Sequence, residues 1–182
     1  MENYKKNLKL LENNHVYSTE MEHDACGVGV IASTEGKKSR QIVEYGIEAL
    51  KAVWHRGAVD ADGKTGDGAG IHVEIPKDFF IEKIEVTGHD YDNAEICVGM
   101  IFLPRNDYAA QESCKTIVES ELTKNNFSIY GWRQVPVNPK VLGDKALQTM
   151  PEIIQVLFKS NDNNLLDKKL ERKIYETRKR IE

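Results

Sequence analysis

No stretch of this chain stays apolar for long. The longest apolar run, residues 96–103, has eight residues, against the roughly 20 that a membrane-spanning helix needs, so no membrane partner is implied. The run reads instead as a buried strand. The lysine-containing N-terminus holds no continuous apolar segment of the kind a secretory signal requires, and a cytoplasmic chain is the default expectation. An excess of positive charge is missing too. The 25 Lys and Arg stand against 29 Asp and Glu, a net charge of −4, which provides no broad basic surface and implies no nucleic-acid partner. Cysteine is sparse: Cys26, Cys97 and Cys114 are an odd number at wide spacings, which fits neither a disulfide framework nor a CxxC metal knuckle.

What is present is ordinary for a globular domain. The 182 residues are 40% hydrophobic and 30% charged, enough for one domain with a real core. Residues 1–25 are polar and carry no sustained period, so a frayed helix over residues 4–11 followed by an extended arm is expected. From residue 26 to 33 the β-branched residues predict a strand, closed by a turn at Thr34-Glu35-Gly36. Ser39 then caps a helix over residues 40–54, with Ile42, Val43, Ile47, Leu50, Val53 and Trp54 on one face and Gly57 as the C-terminal residue.

Further along, residues 71–75 alternate as a half-buried strand with His72 outward, and residues 77–84 read as a short helix. Strands are expected over residues 95–103, 127–135 and 151–159. A helix capped by Asp107 carries Ala110, Cys114, Ile117, Val118 and Leu122 on one face. A last helix, residues 165–181, has seven Lys or Arg beside Leu166, Leu170, Ile174 and Ile181, a solvated face more simply than a nucleic-acid surface. The pattern is mixed α/β, and the short connections favour antiparallel pairing.

Two stretches carry chemistry. In HDACGVG, residues 23–29, Cys26 opens an apolar run between small residues. A lone cysteine there is commonly a small buried hydrophobe; the polar leader before it and the loop after it favour a nucleophile. That loop, GAVDADGKTGDGAG at residues 57–70, has five glycines and three aspartates. It follows a helix and precedes a strand, the reverse of a phosphate-binding loop, and fits neither glycine pattern of such loops. A free thiol near pKa 8.5 is only slightly ionised at neutral pH. Cleavage between Ala25 and Cys26 would place an α-amino group, reference pKa about 7.7–8.0, on the nucleophile's own residue, giving the leader a purpose.

The residues HDACGVGVIAS, HRGAVDADGKTGDGAGI, IPKDFF, VGMIFLPR, GWRQVPV and ERKIYETRKR together resemble the glutaminase domain of class II glutamine amidotransferases of the glutamate-synthase type. The resemblance implies an N-terminal-nucleophile hydrolase fold, a four-layer αββα sandwich of which residues 26–182 form an N-terminal portion, with residues 1–25 as propeptide. It implies that Cys26 attacks the side-chain amide of L-glutamine to form a thioester and release ammonia, that Arg56 orders the loop near the cysteine, and that Gly57 offers backbone groups. It implies partners in the remaining glutamate synthase domains or subunits, which hold the FMN and the iron-sulfur cluster and aminate 2-oxoglutarate.

The family pattern also includes an arginine-containing segment for the substrate carboxylate and an Asn-Gly pair for the oxyanion hole, and this sequence has no Asn-Gly. Losing one oxyanion donor costs roughly 10²–10³ in rate, so the segment by itself is expected to be nearly inactive. The alternative reading is a non-catalytic fragment or subunit that needs another chain to complete the site. A nucleotide-binding module using residues 66–70 is the third.

Overall fold

The computed structural model describes residue 6 and residues 27–54, 57–162 and 168–182. The leader helix expected over residues 4–11 therefore lies outside the described residues, Lys6 apart, as does the rest of residues 1–25, the segment expected to be a propeptide. The backbone divides into two compact units, Met1–Ala58 with Gly66–Ile71, and Val59–Thr65 with His72–Glu182.

In the first unit the principal element is helix α1, Arg40–Ala52. Ser39 caps it, its hydroxyl accepting from the Ile42 amide at 3.4 Å. Ile42, Val43, Ile47 and Leu50 are half-buried along one stripe, while Glu44, Glu48 and Lys51 face water. A Cβ on Gly46 would come within 3.0 Å of Ile71, so the helix lies tight against that side chain. The expected end is corrected by the structure. Val53 is the C-cap, bonding back to Ala49, so the helix stops before Trp54, which is 73% exposed, and Gly57 is not its terminal residue.

The strand expected at residues 26–33 is also absent over its described part: residues 27–33 join no ladder, and Val28 and Val30 are 89% and 86% exposed. Residues 71–75 form no strand either. In both places the alternation of side chains is present, but a strand is stabilised by its cross-strand neighbours, and neither segment has one among the described residues.

The second unit is built on a sheet of three strands, β1 (Cys97–Leu103), β2 (Phe127–Gln134) and β3 (Glu152–Ser160), in the order β1-β3-β2 with both pairings antiparallel. The register places Cys97 opposite Phe158 and Leu103 opposite Glu152 on one side, and Phe127 opposite Ser160 on the other. β2 carries an irregularity between Ile129 and Gly131. Gly131 is required there: its φ is +150° and a Cβ would meet the Thr87 methyl at 2.8 Å.

Each face of the sheet gathers its own core. On one face, helices α3 (Tyr108–Lys124) and α5 (Lys168–Ile181) bring Val118, Leu122 and Leu170 against Cys97, Phe127, Val156 and Phe158. On the other, helix α2 (Lys77–Val86) sets Phe80 and Ile84 against Ile96, Tyr130 and Leu157. That second face is only partly covered, since Met100 and Phe102 on β1 are 50% and 63% exposed. Asp107 caps α3 by accepting from the Ala110 amide at 2.9 Å, as its sequence position predicts. Within the expected apolar face of α3, Val118 and Leu122 are buried and Cys114 half-buried. Ile117 is exposed, and Gln111 takes a buried place by donating to the carbonyls of Pro104 at 2.6 Å and Arg105 at 3.2 Å. The sequence reading left residues 136–150 unassigned; they hold a 3₁₀ turn, Pro139–Val141, and a short helix α4, Asp144–Thr149.

Candidate functional site

Of the three residues singled out by sequence, Cys26 and Arg56 lie outside the described residues, and Gly57 lies within them. Gly57 offers less than expected. Its N–H already donates to the Trp54 carbonyl at 2.9 Å, so the backbone group it can present to a ligand is its carbonyl, an acceptor, rather than a donor for an oxyanion.

The residues after Gly57 are held by a carboxylate. Asp67 accepts from the Ala58 amide through Oδ2 at 2.9 Å, and its own amide donates to the Ala58 carbonyl at 3.2 Å. A Cβ at Gly66 would sit 3.0 Å from the same carbonyl, so the close approach depends on a small residue at that position. One residue thus engages both backbone groups of Ala58.

In the second unit, Val59–Thr65 has its own polar network. The Asp60 amide donates to the Thr65 carbonyl at 2.7 Å, and the Gly63 amide, at φ +66°, to the Asp60 carbonyl at 2.9 Å. Asp62 accepts through Oδ1 from the amides of Lys64 at 2.9 Å and Thr65 at 2.7 Å, and through Oδ2 from the Thr65 hydroxyl at 2.5 Å. The Thr65 hydroxyl first, and those amides with it, hold the Asp62 carboxyl down at about 2. Asp60 pairs with Lys145 at 2.5 Å. Gly143, just before α4, fits against this turn only because it has no side chain: a Cβ there would be 2.2 Å from the Thr65 hydroxyl and 2.3 Å from the Asp62 carboxylate.

This network bears on anion binding by residues 58–65. The amides of Ala58, Ala61, Lys64 and Thr65 already donate to aspartate carboxylates. An anion would have to displace those bonds and then face the carboxylates themselves. A separate shallow cavity of about 420 Å³ opens beside α3, but its lining contains no cysteine, serine or histidine. Of its polar lining, Gln134 donates to Glu152 at 2.5 Å, and Arg133 donates to Gln155, outside the lining, at 2.5 Å.

Of the other thiols, Cys114 is half-buried and Cys97 is a core residue. Cys97 is buried, and burial first, with the Glu95 and Glu171 carboxylates adding to it, pushes its thiol up to about 12. Such a group gives no thiolate near neutral pH. Among the described residues no group of three or more His, Cys, Asp or Glu could hold a metal ion, and none of their helices is long and apolar enough to cross a membrane.

Comparison with known proteins supplies what the geometry alone leaves open. The chain matches the family model of class-II glutamine amidotransferases over residues 26–182. The chain belongs to the class II glutamine amidotransferases. It is 51% identical over 179 residues to the glutamate synthase (NADPH) large chain of Azospirillum brasilense, covering 98% of this chain and 12% of that one. It is 39% identical over 175 residues to the ferredoxin-dependent glutamate synthase of Pyropia yezoensis, covering 96% and 11%. To the chloroplastic ferredoxin-dependent glutamate synthase 2 of Arabidopsis thaliana it is 40% identical over 162 residues, covering 88% and 10%. This amidotransferase segment therefore spans about a tenth of the length of the curated relatives it matches.

Within the amidotransferase segment, two residues that sequence reasoning passed over organise the loop. Asp67 was visible only as one of several acidic loop residues, and nothing in its spacing distinguished it from Asp60 or Asp62. Gly143 had no signal at all, because its reason is a contact with residues some 80 positions earlier.

Proposed function

We propose that residues 26–182 are the N-terminal portion of a glutaminase domain of glutamate-synthase type, with Cys26 as nucleophile and L-glutamine as substrate. The observation that carries this reading is the extent of the family match, which begins at Cys26 itself. Removal of residues 1–25 frees the α-amine of Cys26. That amine takes the thiol proton, the sulfur bonds to the glutamine side-chain carbonyl carbon, and the amine returns the proton to the amide nitrogen as the C–N bond breaks, so that ammonia leaves. Water then cleaves the thioester, giving glutamate and restoring the thiol. Arg56 orders the following loop, and Gly57 supplies its carbonyl as an acceptor. The ammonia goes to the remaining domains or subunits, where 2-oxoglutarate is aminated with the help of FMN and an iron-sulfur cluster.

The four-layer αββα arrangement belongs to the same proposal. Its support is the sheet face carrying Met100 and Phe102: α3 and α5 cover the opposite face, whereas these two side chains on β1 lie 50% and 63% exposed. A second sheet is the layer that would bury them.

The test is Cys26→Ala, assayed as glutamine hydrolysis in the complete protein and in this segment alone. The substitution is expected to abolish hydrolysis wherever the parent shows it; hydrolysis surviving the change would remove Cys26 from the role of nucleophile. The second reading, a non-catalytic piece completed by another chain, is favoured by the short span relative to the relatives. Activity of the complete protein with none in the segment alone is its signature.

A further inference from the structure

We infer that Asp67 is a positioning residue for this site, an inference that rests on the glutaminase reading above. The argument concerns the two peptide planes that flank Gly57. The plane on its N-terminal side is fixed by the Gly57 amide donating to the Trp54 carbonyl at 2.9 Å. The plane on its C-terminal side is the Gly57–Ala58 peptide, whose N–H donates to Asp67 Oδ2 at 2.9 Å.

No cis peptide bond occurs among the described residues, and in a planar trans peptide the carbonyl oxygen lies opposite the N–H. Asp67 therefore sets the direction of the Gly57 carbonyl: the bond that draws the Ala58 amide toward the carboxylate turns the oxygen of Gly57 away from it. The second bond, from the Asp67 amide to the Ala58 carbonyl at 3.2 Å, prevents the carboxylate from swinging while keeping the first. Gly66 makes the approach sterically accessible, with only 3.0 Å between a Cβ at that position and the Ala58 oxygen. Because the Gly57 N–H is engaged elsewhere, the orientation of its carbonyl is what this residue has left to contribute. Such an acceptor suits an N–H donor on the ligand. A carboxylate nine residues away in sequence thereby sets the direction of a carbonyl that the glutaminase reading assigns to the ligand.

The experiment compares Asp67→Ala, Asp67→Asn and Gly66→Val with the parent in the complete protein, with residue 26 as its first residue. Two electrophiles report on Cys26: a glutamine-shaped diazoketone, which needs the substrate site, and iodoacetamide, which needs only the thiol. Hydrogen exchange across residues 57–59, read by mass spectrometry, reports on the bond itself. Loss of one such hydrogen bond predicts capture by the diazoketone slowed by about tenfold in Asp67→Ala, with faster exchange over residues 57–59. Iodoacetamide should react at the parent rate, and exchange over β1, β2 and β3 should be unchanged, which excludes general unfolding. Asp67→Asn keeps an oxygen acceptor and should recover most of the loss. Gly66→Val should reproduce the defect with the carboxylate intact. Undiminished diazoketone capture in Asp67→Ala would overturn the role of Asp67 alone. A parent protein that reacts with iodoacetamide and not with the diazoketone would overturn the glutaminase reading and this inference with it.

Discussion

In the three-stranded sheet, order comes from burial. Leu157 is fully buried, Val156 and Phe127 are each 2% exposed, and aromatic and aliphatic side chains close on both faces. Between Gly57 and Gly70 it comes from carboxylates bonded to backbone amides, with Asp60, Asp62 and Asp67 each accepting from at least one, and scarcely any apolar area removed from water. The first kind of order is the sum of many small non-directional contributions. The second depends on direction, and each bond is individually modest, about 1 kcal/mol net. A loop held this way can fix particular peptide planes without a core beneath it, which is what a site that presents backbone groups to a small polar ligand requires.

Removing apolar volume from the sheet should produce the largest stability change. Leu157→Ala takes a fully buried side chain from the middle strand, where it packs with Phe80, Ile84 and Tyr130. A loss of about 2–5 kcal/mol is expected, read as a shift of the midpoint in urea unfolding with little change in slope. A loss under about 1 kcal/mol would mean that burial does not dominate there. Gly143→Ala probes the other kind of order. The new methyl would stand 2.2 Å from the Thr65 hydroxyl, so either the Asp62 bonds break or the backbone moves, at about 1–3 kcal/mol. The expected signature is local: faster hydrogen exchange over residues 60–65 and 143–147, with β1 to β3 protected as before. Uniform loss of protection would show that the turn and the sheet are not separable.

The same contrast explains what the sequence disclosed. The sheet and its helices were legible because periodicity and capping are local signals: β1, β2, β3, α2 and α3 lie within a few residues of their expected bounds, and Asp107 and Ser39 cap where they should. The strands expected at residues 26–33 and 71–75 carried the same local signal and form no ladder among the described residues, because pairing is a property of neighbours that alternation in one segment cannot report. The glycine- and aspartate-rich loop was legible as a loop and its aspartates as polar residues. Which amide each would hold was not, since Asp67 reaches Ala58 across nine positions and Gly143 meets Thr65 across 78. Cys26 and Arg56 were chosen on motif and lie outside the described residues.

The smallest effect lies where the two kinds of order meet, at the edge of the sheet. Asp92 accepts from the Tyr130 hydroxyl at 2.7 Å and is paired with Lys159, whose ammonium also stands 5.4 Å from the centre of the Tyr130 ring. Lys159 first, and the Tyr130 hydroxyl second, hold the Asp92 carboxyl down from 3.8 to about 2. The folded protein therefore takes up this proton less readily than the unfolded chain, so the contribution is fully present above pH 4 and is lost as the pH falls from about 4 toward 2. Asp92 is 48% exposed, and solvent screening keeps the contribution below about 1 kcal/mol. Asp92→Asn should accordingly be slightly less stable than the parent at pH 7, and the two thermal midpoints should converge as the pH is lowered through that window, because only the parent has an ionised group there to lose. Parallel curves down to pH 2 would show that the Asp92 carboxylate contributes nothing to the fold, leaving the Tyr130 hydroxyl satisfied equally well by an amide oxygen.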